Sequence, residues 1–330
     1  MEMTNTPHPL RILCIDGGGM RGIIPATFLE KLENLTGKGI ADLFDIAVGT
    51  STGSILSVGL NVPDQEKSDR PRYSALDFVN MYLDLGSKIF YEDKKLFKFL
   101  DGITHPTYDP SEYEKILSDY FGECTMADLL SEVAVPSIEL EDMRMHVFSK
   151  AKAKESESFN FAVRHVIRAA TAAPTYFPSA KVSSVNNSFN GTFLDAGVST
   201  NNPGMLALAE TSTISEDRPC IYVSMGTGQI KKPLDVIKAS NWGELEWIKS
   251  IFDLQSDAQS SYTEDTVKEL LSGKQGSSYH RFQIDLHDLP QNMDDTKTKD
   301  LQKLRDASLQ AVETQIDTLQ SLATLLNPAH

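Results

Sequence analysis

Along the chain, apolar and polar positions fall into a repeated strand–glycine–helix rhythm. Leu10-Arg11-Ile12-Leu13-Cys14-Ile15 is a short, nearly continuous apolar run that stops at Asp16-Gly17-Gly18-Gly19. A run of this kind suits a strand covered on both faces. Beyond the glycines, Ile23, Ile24, Phe28, Leu29 and Leu32 recur at helical spacing as far as Gly37. A second run, Phe44 to Val48, ends in Gly49-Thr50-Ser51-Thr52-Gly53 and leads into another apolar helical stretch. Two such units within residues 10–60 predict an α/β class with a parallel sheet.

Farther on, residues 61–74 (NVPDQEKSDRPRYS) read as a surface loop. Residues 75–135 read as largely helical, with breaks near Gly102–Pro110 and at Gly122. Strands are expected at Val133–Glu139, Met143–Phe148, Thr192–Leu194, Cys220–Ser224 and Arg281–Leu286. Ala151–Ser158 (AKAKESES) is expected to be a charged turn or loop, and Phe159–Ala172 a helix ended by Ala173-Pro174. The tail from Thr298 to Leu326 places Leu301, Leu304, Val312, Ile316, Leu319 and Leu325 on one face of a long helix, the pattern of core packing. There is no internal repeat and no composition shift that cuts the chain in two.

Composition narrows the class of function. With 31 Lys+Arg against 46 Asp+Glu the formal net charge is −15, which argues against a binder of phosphate backbones. No apolar run approaches the roughly 18 residues of a membrane-spanning helix. The segment MEMTNTPHPL has neither a basic leader nor a long apolar stretch, so a secretory signal is not expected. Three widely spaced cysteines make neither a disulfide framework nor a zinc site, and Cys14 and Cys220 read as buried thiols in a reducing compartment. The expectation is a soluble cytoplasmic protein; an effector exported by a non-cleaved route has the same features.

The candidate chemistry sits in the two glycine turns. Gly17-Gly18-Gly19-Met20-Arg21-Gly22 fits G-x-G-x-x-G after a strand and before a helix, a turn that dinucleotide folds use for pyrophosphate. Such folds also place an acidic residue at the end of the second strand. Here that strand ends in Gly49-Thr50-Ser51, with Asp45 near its start, so the nucleotide reading is set aside. No G-x-x-x-x-G-K-[ST] loop is present. What remains is an anion hole, in which successive backbone N–H groups face a developing negative charge. Arg21 either orients this turn or binds an anion, or is a surface residue at a helix start. Gly49-Thr50-Ser51-Thr52-Gly53 fits the G-x-S-x-G elbow, where Gly49 and Gly53 let strand and helix cross closely and Ser51 projects as a nucleophile. A nucleophile needs a base. From the residues alone two remain open: His287, after the last predicted strand, and Asp195, in Phe193-Leu194-Asp195-Ala196-Gly197.

Four segments together resemble the patatin-like lipid acyl hydrolases, related to cytosolic phospholipase A2. Asp16–Gly22 looks like the family's glycine-rich oxyanion segment, and Gly49–Gly53 like its nucleophile elbow. Arg168-Ala169-Ala170-Thr171-Ala172-Ala173-Pro174-Thr175-Tyr176-Phe177-Pro178 is similar to its alanine-rich helix end, and Asp195-Ala196-Gly197 with Asn201-Asn202-Pro203 to its aspartate motif. The resemblance implies a three-layer fold with a central, mostly parallel sheet flanked by helices. It implies a Ser51–Asp195 dyad, an oxyanion hole at Gly17, Gly18 and Gly19, and supporting roles for Arg21, Gly49, Gly53 and Gly197. Residues 8–210 are then the catalytic core, and 211–330 the remaining strands and C-terminal helices of the same domain. No cofactor and no metal are implied. The implied substrates are glycerophospholipids, lysophospholipids or other acyl esters, with peripheral membrane contact and no nucleic acid. One departure is Ala196, where the family usually has glycine. A cluster at Trp242, Trp247, Ile251 and Phe252 is either core or a lip for docking. Two other readings stand beside the dyad: a catalytically weak patatin-like lipid- or protein-binding module, and a Ser–His–Asp α/β-hydrolase esterase using His287.

Overall fold

The computed structural model describes residues 8–89, 107–212, 218–229, 240–241 and 243–328. Eight strands form one sheet: β1 (Leu10–Ile15), β2 (Ile46–Gly49), β3 (Glu132–Glu139), β4 (Arg144–Ser149), β5 (Ala180–Ser183), β6 (Asn190–Asp195), β7 (Cys220–Met225) and β8 (Ser278–Phe282). Its order is β5-β6-β3-β2-β1-β7-β8, with β4 also paired to β3. The pairs β3·β2, β2·β1, β1·β7 and β7·β8 are parallel, whereas β4, β5 and β6 join antiparallel at one end. The parallel part and the strand–helix alternation agree with the sequence pattern.

Successive residues of β1 point to opposite faces, and both faces are covered. Leu13 and Ile15 enter a large apolar cluster with the helices Ile23–Thr36, Thr52–Gly59, Val163–Ala170 and Thr298–Thr314. Ile12 and Cys14 enter a smaller one with the helices Gly204–Ser212 and Glu244–Ser272. The result is three layers, helix–sheet–helix. Each fully covered Leu, Ile or Phe contributes about 1.5–3 kcal/mol, so both faces hold the sheet in place. No described helix is long and apolar enough to cross a membrane.

Several elements differ from the sequence expectation. Lys150–Glu155 is a helix, not a loop: Ser149 Oγ caps it by accepting the Lys152 N–H at 3.4 Å, and Ala153 is buried. The following helix is shorter than Phe159–Ala172, running Val163–Ala170. The C-terminal tail is two helices, Thr298–Thr314 and Ile316–Leu326, separated at Gln315, whose φ of −110° and ψ of 17° leave helical geometry. The last strand lies earlier than Arg281–Leu286, and β5, an edge strand paired only with β6, gave no apolar run to find. The break near Gly102–Pro110 lies partly outside the described residues.

β4, β6 and the turn at Phe161 bring His146, Phe148, Phe161, Phe189 and Phe193 into one aromatic cluster. Burial there pushes the His146 imidazole down from 6.5 to about 4, and Lys152 adds to the shift. Because the folded-state value lies below the unfolded one, the unfolded chain binds the extra proton as pH falls. This contribution to stability is intact above pH 6.5 and is lost toward pH 4, at about 2–3 kcal/mol in all. Urea denaturation of the wild type and of His146→Phe from pH 8 to pH 4 measures it: the variant is expected to lose less stability than the wild type over that interval.

Candidate active site

The site lies beyond the C-terminal ends of the parallel strands, where α/β sheets present ligand crevices. β1 and β2 pair in register, Ile15 opposite Gly49, so the segments that follow them emerge side by side. Thr50 N–H donates to Ile15 O at 3.2 Å, which draws the elbow against the glycine turn. The crossing is tight: a methyl group at Gly49 would strike the Gly53 carbonyl, and one at Gly53 the Ile15 carbonyl. At the apex Ser51 adopts φ 53° and ψ −122°, a conformation that costs a non-glycine residue about 1–3 kcal/mol. Hydrogen bonds hold it there, from Gly53 N–H to Thr50 O (2.7 Å) and from Thr50 Oγ1 to Thr200 O (2.8 Å). Ser51 immediately precedes the helix Thr52–Gly59, whose N-terminus carries partial positive charge.

Asp195 reaches the same place from the other direction. β6 runs antiparallel to β3 with Asp195 opposite Ser137, three positions beyond the Ala134 that pairs with Val48. This sets the carboxylate level with the residue after the elbow glycine turn begins. Asp195 is 3% exposed, its Oδ1 accepts the Gly197 N–H at 2.7 Å, and it lines the same cavity as Ser51. Burial pushes its pKa from 3.8 up to about 6, against the lowering effect of the Ser51 hydroxyl and the Gly197 N–H. Ala196 is buried and is not among the positive-φ residues, so the methyl that departs from the family pattern needs no special backbone. Asn202 Oδ1 accepts the Gly204 N–H at 2.9 Å and so caps the helix that braces this loop.

The glycine turn completes the arrangement. Gly17 N–H is taken by Asn201 O at 2.9 Å, and Met20 N–H by Met293 O at 2.7 Å. Among the described residues no acceptor takes the N–H of Gly18 or Gly19, so the candidate oxyanion donors narrow from three to these two. Gly19 has φ 58°, and a side chain there would collide with the Met293 carbonyl. Arg21 is buried, with Nε 3.4 Å from Gly18 O and Nη1 3.5 Å from Gln291 O, a placement that braces the turn.

Ser51, Asp195, Gly18 and Gly19 all line one cavity of about 480 Å³. Its wall is mainly apolar, with Met20, Ile55, Ile89 and Phe177. Two phenols also face it, each already partnered: Tyr82 with Thr52, and Tyr113 with Thr171 at 3.0 Å. Gln291, Asn292, Met293 and Ser256 supply another side. None of these wall residues stood out in the sequence, because an isolated Tyr or Met in an apolar helix reads as core. Next in the chain to Met293, Asp294 Oδ2 accepts a hydrogen bond from Tyr108 OH at 2.6 Å.

The structure does not bring His287 to the site. It is exposed, its Nδ1 lies 3.1 Å from Asp288 Oδ1, and no histidine among the described residues lines the cavity. Of the cluster read as core or lip, Ile251 on the long helix is 51% exposed, and the neighbouring Leu254 is 42% exposed. Trp242 and the side chains of Trp247 and Phe252 lie outside the described residues. Among the described residues no three His, Cys, Asp or Glu side chains gather as a metal-binding group.

The sequence pattern of the patatin-like phospholipase family matches residues 13–208. Patatin-like protein 2 of Arabidopsis thaliana is 32% identical over 285 residues, 75% of this chain and 70% of that protein. Patatin-2-Kuras 3 of Solanum tuberosum is 28% identical over 353 residues, 96% of this chain and 89% of its own length. Probable inactive patatin-3-Kuras 1, also from Solanum tuberosum, is 29% identical over 279 residues, 77% and 72% of the two chains. The chain belongs to the patatin-like phospholipase family, and with it to the lipid acyl hydrolases.

Proposed function

We propose that this protein hydrolyses fatty-acyl esters of glycerophospholipids or lysophospholipids through a Ser51–Asp195 dyad. The observation that carries the reading is the strained Ser51 beside a buried carboxylate in one largely apolar cavity, with no imidazole lining it among the described residues. Ser51 Oγ attacks the ester carbonyl and its proton passes to Asp195. The carbonyl electron pair moves onto oxygen, where the Gly18 and Gly19 N–H groups receive it. Collapse expels the alcohol, which takes the proton back from Asp195, and water repeats the sequence on the acyl-enzyme. The apolar wall accommodates the acyl chain. In this reading residues 8–210 and 211–330 form one domain, since the second segment supplies β7 and β8 to the same sheet. The net charge of −15 disfavours anionic membranes, so docking falls to Ile251 and Leu254 on an uncharged lipid surface.

Lipid hydrolysis followed by mass spectrometry of the released acyl chains is the direct test. Wild-type protein should release fatty acid, and a fluorophosphonate probe should label Ser51 and no other serine. Ser51→Ala should abolish both. Asp195→Asn should cost on the order of 10³-fold or more in kcat, since nucleophile and base act as one unit, while His287→Ala changes it by less than about tenfold. A folded wild type that binds lipid without labelling or turnover would assign the chain to the non-catalytic class instead. An inactive His287→Ala of native stability would restore the triad.

The raised Asp195 pKa makes two further outcomes measurable. The base works only when ionised, so kcat/KM should rise with pH along an acid limb centred near about 6. Ionising Asp195 in its buried place also costs stability, and that cost grows from pH 3.8 and is complete above about 6. Asp195→Asn should therefore be more stable than the wild type by about 2–3 kcal/mol at pH 7.5, and not at pH 4, in denaturant titrations. A flat activity profile from pH 5 to 8 would contradict the assignment of Asp195 as base.

A further inference from the structure

The residue that follows β1, Asp16, is 2% exposed, yet it carries a carboxylate. Across β7 it meets Arg281 on β8. Cys14, Ser224 and Arg281 are in register over three strands, and Asp16 follows Cys14 on the same face at the two-residue repeat. The guanidinium binds both carboxylate oxygens, Nη2 to Oδ2 at 2.6 Å and Nη1 to Oδ1 at 3.1 Å, and Nη1 also donates to Ser224 Oγ at 2.7 Å. Its Nε lies 3.8 Å from Glu264 Oε2 on the helix that covers this face, and Glu264 is itself paired with Lys268. Two carboxylates and two cations thus balance beneath the turn. Uncharged hydrogen bonds also tie the stem: Asp16 N–H to Met225 O (3.0 Å), Gly17 N–H to Asn201 O (2.9 Å) and Thr227 Oγ1 to Gly17 O (2.5 Å).

We infer that Arg281 is a positioning residue for the reaction: by neutralising Asp16 it fixes the backbone from which Gly18 and Gly19 face Ser51. The inference rests on the hydrolase reading for its kinetic half only. A buried carboxylate left without its cation takes up a proton or moves toward water. Asp16 is covalently one residue from Gly17, so such a movement displaces the donors. A displacement of about 1 Å at reacting groups costs about 10²-fold in rate. Left unneutralised and unprotonated, the same charge would also oppose the negative charge that develops on the ester oxygen. The mechanism so far uses neither Arg281 nor Asp16, and neither side chain lines the cavity.

The full-length chain serves for the test, with Ser51→Ala, Arg281→Gln, Arg281→Lys and the double variant Asp16→Asn/Arg281→Gln. Two readouts are taken: kcat and KM on a phospholipid in mixed micelles, and backbone hydrogen exchange of the Gly17, Met20 and Arg21 amides. Arg281→Gln should lower kcat about 10²-fold with KM changed less than about threefold, and exchange at those three amides should quicken while β1 to β3 stay protected. The double variant, with no charge left to compensate, should regain protection and at least about tenfold of the lost kcat, and Arg281→Lys should lie between it and the wild type. A merely structural arginine would leave the double variant no better than the single, and that result overturns the proposal, as does an Arg281→Gln protein with wild-type kcat and exchange. A wild type that is as inert as Ser51→Ala overturns the hydrolase reading instead, and the exchange data then decide the role of Arg281 alone. Should Arg281→Gln fail to fold, the double variant and Arg281→Lys carry both measurements.

Discussion

The parallel pairing of β1 with β2 is the constraint on which the site depends. With Ile15 opposite Gly49, the glycine turn and the serine elbow leave the sheet at one level and touch. A slip of one residue would turn every side chain of β1 to the other face, exchanging Leu13 and Ile15 with Ile12 and Cys14 between two separate cores. Burial on both faces therefore fixes the register, and the register fixes the site. The same packing sustains the unfavourable backbone of Ser51, since the elbow cannot relax without separating Gly53 from the Ile15 carbonyl.

Two buried carboxylates flank this pair of turns, and the protein treats them differently. Asp16 faces a guanidinium that binds both its oxygens. Asp195 has a hydroxyl and a backbone N–H, neither of which carries charge. Burial pushes the pKa of both upward; at Asp16 the Arg281 guanidinium opposes that shift, while at Asp195 only uncharged groups do, and its pKa reaches about 6, in the range where a carboxylate can accept a proton and give it up near neutral pH.

The antiparallel end of the sheet explains why the second group of the proposed dyad comes from so far along the chain. β6 runs against β3, so its C-terminal residue, not its first, meets the level of the elbow. The chain reaches that point through the helix Val163–Ala170 and the segment Thr171–Phe177, which supplies Thr171, Ala173 and Phe177 to the cavity wall. One stretch of about 30 residues therefore builds both the acid group and much of the apolar surface beside it.

Local pattern in the sequence determined the strand–glycine–helix units and the two turns, with Ser51 at the apex of the second, because each is written in contiguous residues whose period or small size has one physical use. Conditions at the ends of elements were less legible: a Ser149 cap turned a charged stretch into a helix, and Gln315 divided the tail with no glycine or proline to mark it. The choice between Asp195 and His287 could not be made from the residues, since both follow a short strand; only the sheet order carried one to Ser51 and left the other exposed. Tertiary structure also decided that the Gly17 N–H bonds to Asn201 while the Gly18 and Gly19 N–H groups find no acceptor among the described residues, and that Arg281 meets Asp16 across 265 residues of sequence. These are long-range pairings of backbone and charge. A single residue type at each position is compatible with many of them, and the fold selects one.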